Sequence, residues 1–306
     1  MSDVFMNTKE VAEYLGIHEK QVYALIKAGR MPATRVTGKW IFPRRLIDDW
    51  IETQARAGLG EARQKVGRVQ GALLAAGSND PALDLLLASV QAAHSEFYIF
   101  SSAMGSTAGL RALGGGYTDV AWSHLYDPAV GDYNTPDILA PYLRDFPFVV
   151  VHLFSRELAL IAPQGNPLAI LDLEDVWRRR LRIVNRQPGA GTRVYLDHLL
   201  KGLDASPDEL PGYNEEVFTH MDVGLAVLAG RADTGLATTA VARMLGLHAI
   251  PLTTECFSMV LAQGTFFLKG VQALIEVLRS RPFQEKARGM GGYDFKDAGR
   301  VSHAAP

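Results

Sequence analysis

The sequence of 306 residues has one cysteine, Cys256, and no apolar run long enough to cross a bilayer. One cysteine excludes an internal disulfide framework and is typical of a reducing compartment. The missing apolar run argues against a membrane-spanning helix. Met1 is not followed by the charged and then apolar segments of a secretory leader. We therefore expect a cytoplasmic protein without a membrane partner.

Signatures of metal binding and catalysis are also scarce. The histidines show no metal-ligand spacing, so we expect no metal site. The glycine-rich segment LGGGYTD, residues 113–119, lacks the spacing of a nucleotide phosphate loop. GSTAG, residues 105–109, has Thr107 where a nucleophile elbow needs serine. Cys256 lies in an apolar run and is expected to be an inert buried thiol. We expect neither an enzyme nor a bound cofactor.

The composition is that of a globular chain, with 48% apolar and 21% charged residues. The length exceeds one ordinary domain, so at least two compact units are expected. A net charge of −2 hides an asymmetry between the two ends. Residues 1–70 hold 12 Lys and Arg against 8 Asp and Glu, whereas the remainder holds 19 against 25. The basic first segment is the better candidate for nucleic-acid binding.

Residues 6–29, MNTKEVAEYLGIHEKQVYALIKAG, predict two short helices around a tight turn. Thr8 is the expected cap of the first helix, and Gly16 and Gly29 are the expected stops. The apolar positions recur at helical spacing: Val11, Ala12, Leu15, Val22, Leu25 and Ile26. ATRVTGKWIFP alternates around Thr37 like a hairpin, and RRLIDDWIE predicts a third helix. Its expected apolar side comprises Leu46, Ile47, Trp50 and Ile51.

With the apolar positions pointing inward, the outer face of the second helix would enter a DNA major groove. The hairpin would act as a wing that reaches phosphates or the minor groove. The residues predicted to contact DNA are Lys20, Gln21, Tyr23, Lys27, Arg35 and Lys39.

TKEVAEYLGIHEKQVYALIKAGRMPATRV, followed by GKWIF, resembles the excisionase-type, MerR-like winged helix-turn-helix module. The resemblance covers residues 6 to about 54 and implies operator DNA as a partner. Pro43 departs from the pattern, which has a basic residue there, and we expect it to end the wing strand early. Residues 55–69 are rich in Gly, Ala and charge. We therefore assign 1–54 to a DNA-binding domain and 55–69 to a linker.

From Gln70 onward, strand-like apolar runs alternate with helix-like segments, which predicts an α/β fold with parallel strands. Ligands in such folds gather where strands end and helices begin. NRQPGAGTR, residues 185–193, lies at one such junction. Its glycines permit a tight turn, and the unpaired amides and dipole of a helix N-terminus attract anions.

Several junctions together offer hydroxyls, amides and a cation, which favours binding of a small anion. The predicted ligand-binding residues are Ser78, Asn79, Ser106, Thr107, His124, Gly191, Thr192 and Arg193. Each residue alone could be an ordinary helix cap. Asp80, followed by Pro81, is expected to cap its helix. Arg193 is expected either to touch the anion or to bridge to a carboxylate at the hinge, and Arg186 and Gln187 are weaker candidates.

The same part of the chain resembles the PBP-like domain that occurs fused to helix-turn-helix modules, a relative of periplasmic molybdate- and tungstate-binding proteins. The motifs are HLYDP with GDYN, SRELALIAPQGNP, NRQPGAGTR, GYNEEVFTHMDVGLAVLAGRADTGLA and GGYD. The resemblance runs from about Gly71 to Gly299. It implies a bilobed, type II binding-protein fold whose lobes close on a ligand. The expected fold class is thus α/β, a bilobed domain over 70–306 preceded by a small winged helix-turn-helix domain.

Two chain crossings divide the expected lobes. SRELALIAP would leave lobe one and TTECFSMVLA would return to it. Lobe one would comprise residues 70–157 and 258–306, and lobe two residues 158–257.

The expected effector is an oxyanion, molybdate or tungstate first, because a fully ionised anion accepts hydrogen bonds and donates none. Sulfate, phosphate and a small organic anion are the alternatives within the same class. These features predict a transcriptional regulator that acts as a homodimer on operator DNA. The alternative from a different class is an enzyme or ligand store tethered to DNA.

Overall fold

The computed structural model describes residues 5–29, 31–36, 38–51, 72–143 and 147–304. The chain forms two compact units, Met1–Arg68 and Val69–Pro306. Among the described residues, no helix has the length and apolar character needed to cross a bilayer.

In its described residues, the first unit packs three helices against a three-stranded antiparallel sheet of order β1-β3-β2. Its elements are β1 (Phe5–Met6), α1 (Thr8–Leu15), α2 (Glu19–Lys27), β2 (Thr34–Val36), β3 (Lys39–Pro43) and α3 (44–51). The core of this unit consists of Met6, Val11, Ala12, Val22, Met31, Phe42 and Ile47. The helix-helix-hairpin-helix order agrees with the sequence reading.

Three local expectations for this unit were wrong. Asn7, not Thr8, caps α1, because its side chain accepts from the Lys9 and Glu10 amides while Glu10 accepts from the Asn7 amide. Pro43 does not shorten β3 but is its last residue, opposite Phe5. On α3, Ile47 is buried and Trp50 half-buried, whereas Leu46 and Ile51 are 48% and 37% exposed. The apolar side of α3 is therefore narrower than expected.

The second unit contains one large mixed sheet flanked by helices. Its first part comprises β4 (Ala72–Gly77), α4 (Pro81–Ala93), β5 (Tyr98–Ala103), α5 (Ser106–Gly114), β6 (Val120–Ser123), β7 (Tyr126–Asp127), β8 (Asp132–Tyr133) and α6 (Pro136–Leu139). Its middle comprises β9 (Phe148–Ala162), α7 (Leu173–Arg178), β10 (Ile183–Arg186), α8 (Gly191–Gly202), a 3-10 turn (Pro207–Glu209), β11 (Glu216–Val217), α9 (His220–Leu228), β12 (Thr234–Thr238) and α10 (Thr239–Met244). Its last part comprises β13 (His248–Ala262), α11 (Gln263–Phe266), α12 (Lys269–Arg279), α13 (Arg281–Met290), β14 (Tyr293–Asp294) and β15 (Val301–Ala304).

Strand order explains why this unit has two lobes. The main path runs β11-β10-β12-β9-β13-β6-β4-β5, with β14 and β15 also paired to β9. Strands β4, β5 and β6 are parallel on one side, and β10, β11 and β12 are parallel on the other. The long antiparallel strands β9 and β13 run between the two sides. Because parallel strands need crossover helices, each side acquires its own helical layers, and the α/β fold class is confirmed.

Each lobe has its own apolar core. Trp122, Leu153 and Leu274 belong to the core on the β4–β6 side. Leu160 and Leu196 belong to that on the β10–β12 side. The chain passes between the two sides within β9 and β13. Polar strand ends of both sides therefore meet between two separately packed bodies.

Candidate functional site

The exposed face of α2 is the candidate DNA surface of the first unit. Val22 is fully buried, and Leu25 and Ile26 are half-buried against the same core. The opposite face exposes the four residues predicted there: Lys20, Gln21, Tyr23 and Lys27. Gln21 also accepts a hydrogen bond from the His18 amide at 3.0 Å, which stabilises the start of the helix.

The hairpin of β2 and β3 presents the two predicted wing residues, Arg35 and Lys39, both exposed. Arg35 Nε donates to the Gly38 carbonyl at 3.2 Å, and its guanidinium lies 5.7 Å from the centre of the Trp40 ring. These contacts hold Arg35 along the hairpin. The structure thus gathers all six predicted residues on one helix face and one hairpin.

In the second unit, three strand ends of lobe one converge. Ser78 follows β4, Ser106 begins α5 and His124 follows β6. Ser78 Oγ and Ser106 Oγ share a hydrogen bond of 2.8 Å, and the His124 amide donates to Ser106 Oγ at 3.3 Å. All three residues are buried. These three sequence predictions therefore occupy one small polar cluster.

The two lobes touch at this cluster. The Thr107 amide and its Oγ1 both donate to the Gly189 carbonyl of lobe two, each at 3.1 Å. Gly191, the first residue of α8, lies so close to His124 that an added Cβ would come within 2.6 Å of the imidazole. Only glycine permits this approach, so the glycines of 185–193 bring the N-terminus of α8 against lobe one.

The side chains of Asn79 and Asp80 form hydrogen bonds with helix α4, and Asp80 also binds Arg156 of β9. The Asn79 amide donates to Asp84 at 3.3 Å, and Asp80 accepts from the Ala82 amide at 2.7 Å. The capping role expected for Asp80 is confirmed. Asp80 is also fully buried and accepts from Arg156 at 2.7 Å and from the Tyr293 hydroxyl at 2.8 Å.

Arg193 bridges to a carboxylate within lobe two. Its Nη1 donates to Glu216 of β11 at 3.0 Å and to the Arg186 carbonyl at 3.0 Å. Its guanidinium also lies 4.2 Å from the centre of the Tyr213 ring. The carboxylate that it meets is on a lobe-two strand rather than at the hinge. The adjacent Thr192 is buried, and its Oγ1 has no hydrogen-bond partner among the described residues.

Arg186, at the end of β10, was a weaker candidate from the sequence, and the structure buries it at the lobe junction. It is 3% exposed and donates to the Phe218 carbonyl at 2.6 Å and to Gln187 Oε1 at 3.3 Å. Within the described ranges it has no ion pair. Burial, reinforced by the charge of Arg156, lowers its pKa to about 10. A buried guanidinium without a counter-ion is costly unless an anion joins it.

Other buried polar groups of the second unit also lack partners. Among the buried side-chain atoms without a hydrogen-bond partner in the described part of the chain are Ser123 Oγ, Gln187 Nε2, Thr238 Oγ1 and both ring nitrogens of His220. His220 is fully buried at the start of α9, and its ring centre lies 6.4 Å from that of His124. The sequence signal for His220 was the helix start THMD, which marks a strand-to-helix junction like the others.

A buried ion network ties this region to the strands that join the lobes. Arg156 of β9 and Glu255 of β13 are paired across the two strands and form an ion pair of 2.9 Å. The Glu255 carboxylate also accepts from His124 Nδ1 at 3.2 Å. Burial opposes ionisation of Glu255, but His124 and Arg156 together bring its pKa down to about 2. Burial lowers the pKa of His124, against the pull of Glu255, so its imidazole is neutral near pH 7.

No group of His, Cys, Asp and Glu side chains suited to a metal ion occurs in the described ranges. The buried groups at the lobe junction are mainly hydroxyl, amide, imidazole and guanidinium groups, and the two carboxylates there are already engaged. Such a set suits an anion rather than a cation.

Comparisons with known proteins agree with this architecture. Residues 87–279 match the PBP superfamily domain, and residues 5–55 match a helix-turn-helix domain. The Bacillus subtilis protein YvgK, itself uncharacterised, is 30% identical over 301 residues, 96% of each chain. The helix-turn-helix domain supports DNA binding by the first unit.

Two solved structures share the fold of the second unit. A phosphate transporter substrate-binding protein from Clostridium perfringens, with bound phosphate, has a TM-score of 0.57 at 12% identity and covers 74% of this chain and 100% of its own. A tungstate transporter protein from Geobacter sulfurreducens has a TM-score of 0.52 at 13% identity, covering 71% and 98%. At these identities the likeness concerns the fold, and the bilobed binding-protein architecture is confirmed.

Proposed function

We propose that this chain is a ligand-responsive transcriptional regulator. It belongs to the family of proteins with a PBP superfamily domain, and a helix-turn-helix domain precedes that domain in the sequence. The first unit binds operator DNA in the cytoplasm. The second unit binds a small oxyanion between its lobes. The supporting observation is the group of buried donors at the lobe junction, above all the guanidinium of Arg186 without an ion pair among the described residues.

The state of the buried carboxylates favours a fully ionised anion. Asp80 accepts from an amide, a guanidinium and a hydroxyl, and Glu255 accepts from a guanidinium and an imidazole. Most of their acceptor positions are thus already used within the protein. Every phosphate ion near neutral pH retains at least one proton, as monohydrogen or dihydrogen phosphate, whereas molybdate and tungstate are fully ionised and donate none. This argument favours molybdate, tungstate and sulfate over phosphate. The resemblance to molybdate- and tungstate-binding proteins makes molybdate or tungstate the first proposed effector, and sulfate, phosphate or a small organic anion is the alternative.

The four inorganic anions can be compared by thermal unfolding of the full chain. An effector present at 100 times its dissociation constant is expected to add about 2.7 kcal/mol to the stability of the second unit. Molybdate or tungstate is expected to raise the midpoint more than sulfate or phosphate at equal concentration and ionic strength. Sodium chloride at matched ionic strength is the control. If none of the four anions raises the midpoint beyond that control, the oxyanion proposal is wrong.

Ligand binding would change the affinity for DNA by thermodynamic linkage. A closed state stabilised by the anion changes the balance between conformations of the second unit. In a homodimer, which we propose as the active form, that change alters how two DNA-binding modules fit two half-sites. A footprint on a DNA site selected from random sequence is expected to strengthen or weaken when the effector is added. An unchanged footprint at saturating effector would contradict the regulatory role.

The DNA surface is tested by replacing Lys20, Tyr23 and Lys27 together with alanine. Loss of two positive charges at phosphates is expected to reduce the salt dependence of binding, the slope of log Kd against log salt, by about two. Loss of Tyr23, which is 49% exposed, is expected to weaken selection of the preferred site. Fluorescence anisotropy across a salt series measures both effects.

The matched control for this triple variant removes two exposed lysines of the second unit, Lys286 and Lys296. It changes net charge by the same amount and is expected to leave the slope unchanged. Equal slopes for the wild type and the triple variant would refute the assigned face.

We propose no catalytic role for the lobe junction. Burial raises the pKa of Cys256, so its thiol stays protonated near neutral pH and is a poor nucleophile. Asp80 and Glu255 are held in ion pairs rather than left free for acid-base work. Turnover of any of the candidate ligands by the purified protein would favour the enzyme alternative instead.

A further inference from the structure

The formal charges of the ionised side chains buried at the lobe junction sum to zero, although Arg186 has no direct ion pair among the described residues. Asp80 and Glu255 carry two negative charges, and Arg156 and Arg186 carry two positive charges. Arg193 is balanced by its own partner, Glu216. A dianion that enters this neutral setting brings two uncompensated negative charges into a region shielded from water. Such a step is unfavourable unless positive charge arrives with the anion.

Two imidazoles are the groups of this buried cluster that can gain positive charge near neutral pH. His220 is fully buried as the first residue of the nine-residue helix α9, and neither ring nitrogen meets a hydrogen-bond partner in the described part of the chain. His124 lies 6.4 Å away, ring centre to ring centre. Two nitrogens without partners in a buried side chain indicate a site for an additional hydrogen-bonding group.

The charged surroundings of His220 come from several elements. Arg156 of β9, Arg186 of β10 and His124 beyond β6 act on it, and together with burial they keep its pKa well below its usual value. The Glu255 carboxylate of β13 accepts hydrogen bonds from His124 and Arg156, the two groups that act on His220. Asp222 lies two residues further along α9 and forms the capping box with Thr219. Without an anion, burial first of all, and then the positive guanidinium groups, therefore keep the pKa of His220 low and its imidazole neutral.

We propose that His220, with His124 beside it, binds the oxyanion directly and that this histidine pair takes up a proton from solvent as the anion binds. The inference rests on the proposed function, since it assumes that the lobes close on an anion. Neutral imidazole, a proton from the buffer and the dianion combine into an imidazolium that donates to an anion oxygen. No bond of the anion breaks, and the buried charge gained by the site is offset.

The direction of the pH dependence follows from the two states of the pair. Both imidazoles are neutral in the free protein near pH 7, because their pKa values are lowered by burial and by the neighbouring charges. The anion favours the imidazolium and raises the pKa. Affinity therefore increases as pH falls, by about tenfold per pH unit for each proton taken up between the free and bound pKa values. Above the bound pKa, affinity no longer depends on this proton.

Calorimetric titration of the full chain with molybdate tests the inference. The binding heat is measured from about pH 6 to about pH 8 in pairs of buffers that differ in ionisation enthalpy. We expect uptake of about one proton per anion, with the dissociation constant falling as pH falls. Molybdate is a dianion across this range, so the ligand does not supply the titration. Tungstate and sulfate, which are also dianions, serve as replacements if molybdate does not bind.

Two variants identify where the proton resides. His220→Gln and the double variant His124→Gln, His220→Gln keep side chains able to donate a hydrogen bond but unable to become cations. We expect proton uptake to fall in the single variant and to vanish in the double variant. His248→Gln, which removes an exposed histidine from lobe two, is the control and is expected to behave like the wild type.

Each outcome separates this inference from the function on which it rests. If no tested anion binds the wild type, the oxyanion proposal fails and this inference fails with it. If an anion binds without proton uptake and with the same affinity at every pH, only the proton coupling is wrong. Uptake that persists unchanged in the double variant places the proton elsewhere and also overturns the inference. The wild-type measurement decides the coupling even if a variant does not fold.

Discussion

Arg156→Met is expected to lower the unfolding midpoint of the second unit by about 6 to 20 °C. The guanidinium is fully buried and pairs with Asp80 at 2.7 Å and with Glu255 at 2.9 Å. Its removal leaves two buried carboxylates without their cation, a change that typically costs about 3 to 5 kcal/mol. Thermal unfolding of the full chain followed by circular dichroism measures the shift.

The matched control is Arg182→Met, which breaks the ion pair with Asp233 at the surface of lobe two. Water screens that pair, so the midpoint is expected to stay nearly unchanged. Similar midpoints for the Arg156 and Arg182 variants would contradict the view that the buried network holds the two lobe strands together. Because the lost carboxylate pairing is electrostatic, protonation of Glu255 as the pH falls toward its pKa of about 2 is expected to reduce the difference between wild type and the Arg156 variant.

Arg186→Met is expected to weaken oxyanion binding by about 10- to 150-fold, since a hydrogen bond to a charged group contributes about 1.5 to 3 kcal/mol. The same variant is expected to be no less stable than the wild type without the anion. The reason is that Arg186 is buried without an ion pair in the described ranges, so its charge costs stability in the free protein. Affinity and unligated stability thus respond in different directions. Calorimetry and thermal unfolding without ligand measure the two quantities.

Arg193→Met is the matched control for Arg186, since both are buried arginines of the same lobe separated by one turn segment. Arg193 is already paired with Glu216 and packed on Tyr213. Its removal is expected to lower the unfolding midpoint and to change anion affinity less than the Arg186 variant does. If Arg193→Met abolishes binding while Arg186→Met retains it, the two arginines have been assigned the wrong roles.

For Arg186 and Arg193, the sequence predicted the location along the chain but not the carboxylate partner. The sequence placed both at the junction after the LRIV strand, because local apolar pattern and glycine spacing locate a strand end reliably. Which guanidinium is left without a carboxylate depends on Tyr213 and Glu216, which lie 20 and 23 residues beyond Arg193. That pairing is set by how β11 lies beside β10, which local patterns do not encode.

For the histidines and serines too, the sequence predicted the position along the chain but not the contacts with distant residues. The sequence placed Ser78, Ser106 and His124 at strand ends, and the structure brings them into one polar cluster. His220 entered the sequence analysis only as a histidine without metal-ligand spacing. Its burial against His124 results from the contact between lobes, and that contact depends on Gly189 and Gly191 being able to approach lobe one closely.

In the first unit the apolar spacing predicted the helices, but it did not predict the N-cap of α1 or which side chains of α3 are buried. Asn7 rather than Thr8 caps α1, because asparagine is the stronger N-cap residue and its side chain accepts from the Lys9 and Glu10 amides. The third helix exposed Leu46 and Ile51 although both fit its apolar period. A short helix on a small core buries a narrow stripe, so periodicity alone overestimates how much of its surface is covered.

The two strands shared by the lobes restrict how the second unit can move. β9 and β13 remain hydrogen-bonded over nearly their full length, with register irregularities between Pro251 and Thr253 and between Phe257 and Ser258. A continuous antiparallel ribbon resists sliding of one strand along the other, whereas bulges allow local bending and twisting. The irregularities lie on either side of Glu255. We therefore expect the two lobes to rotate relative to each other about this ribbon rather than to slide along it.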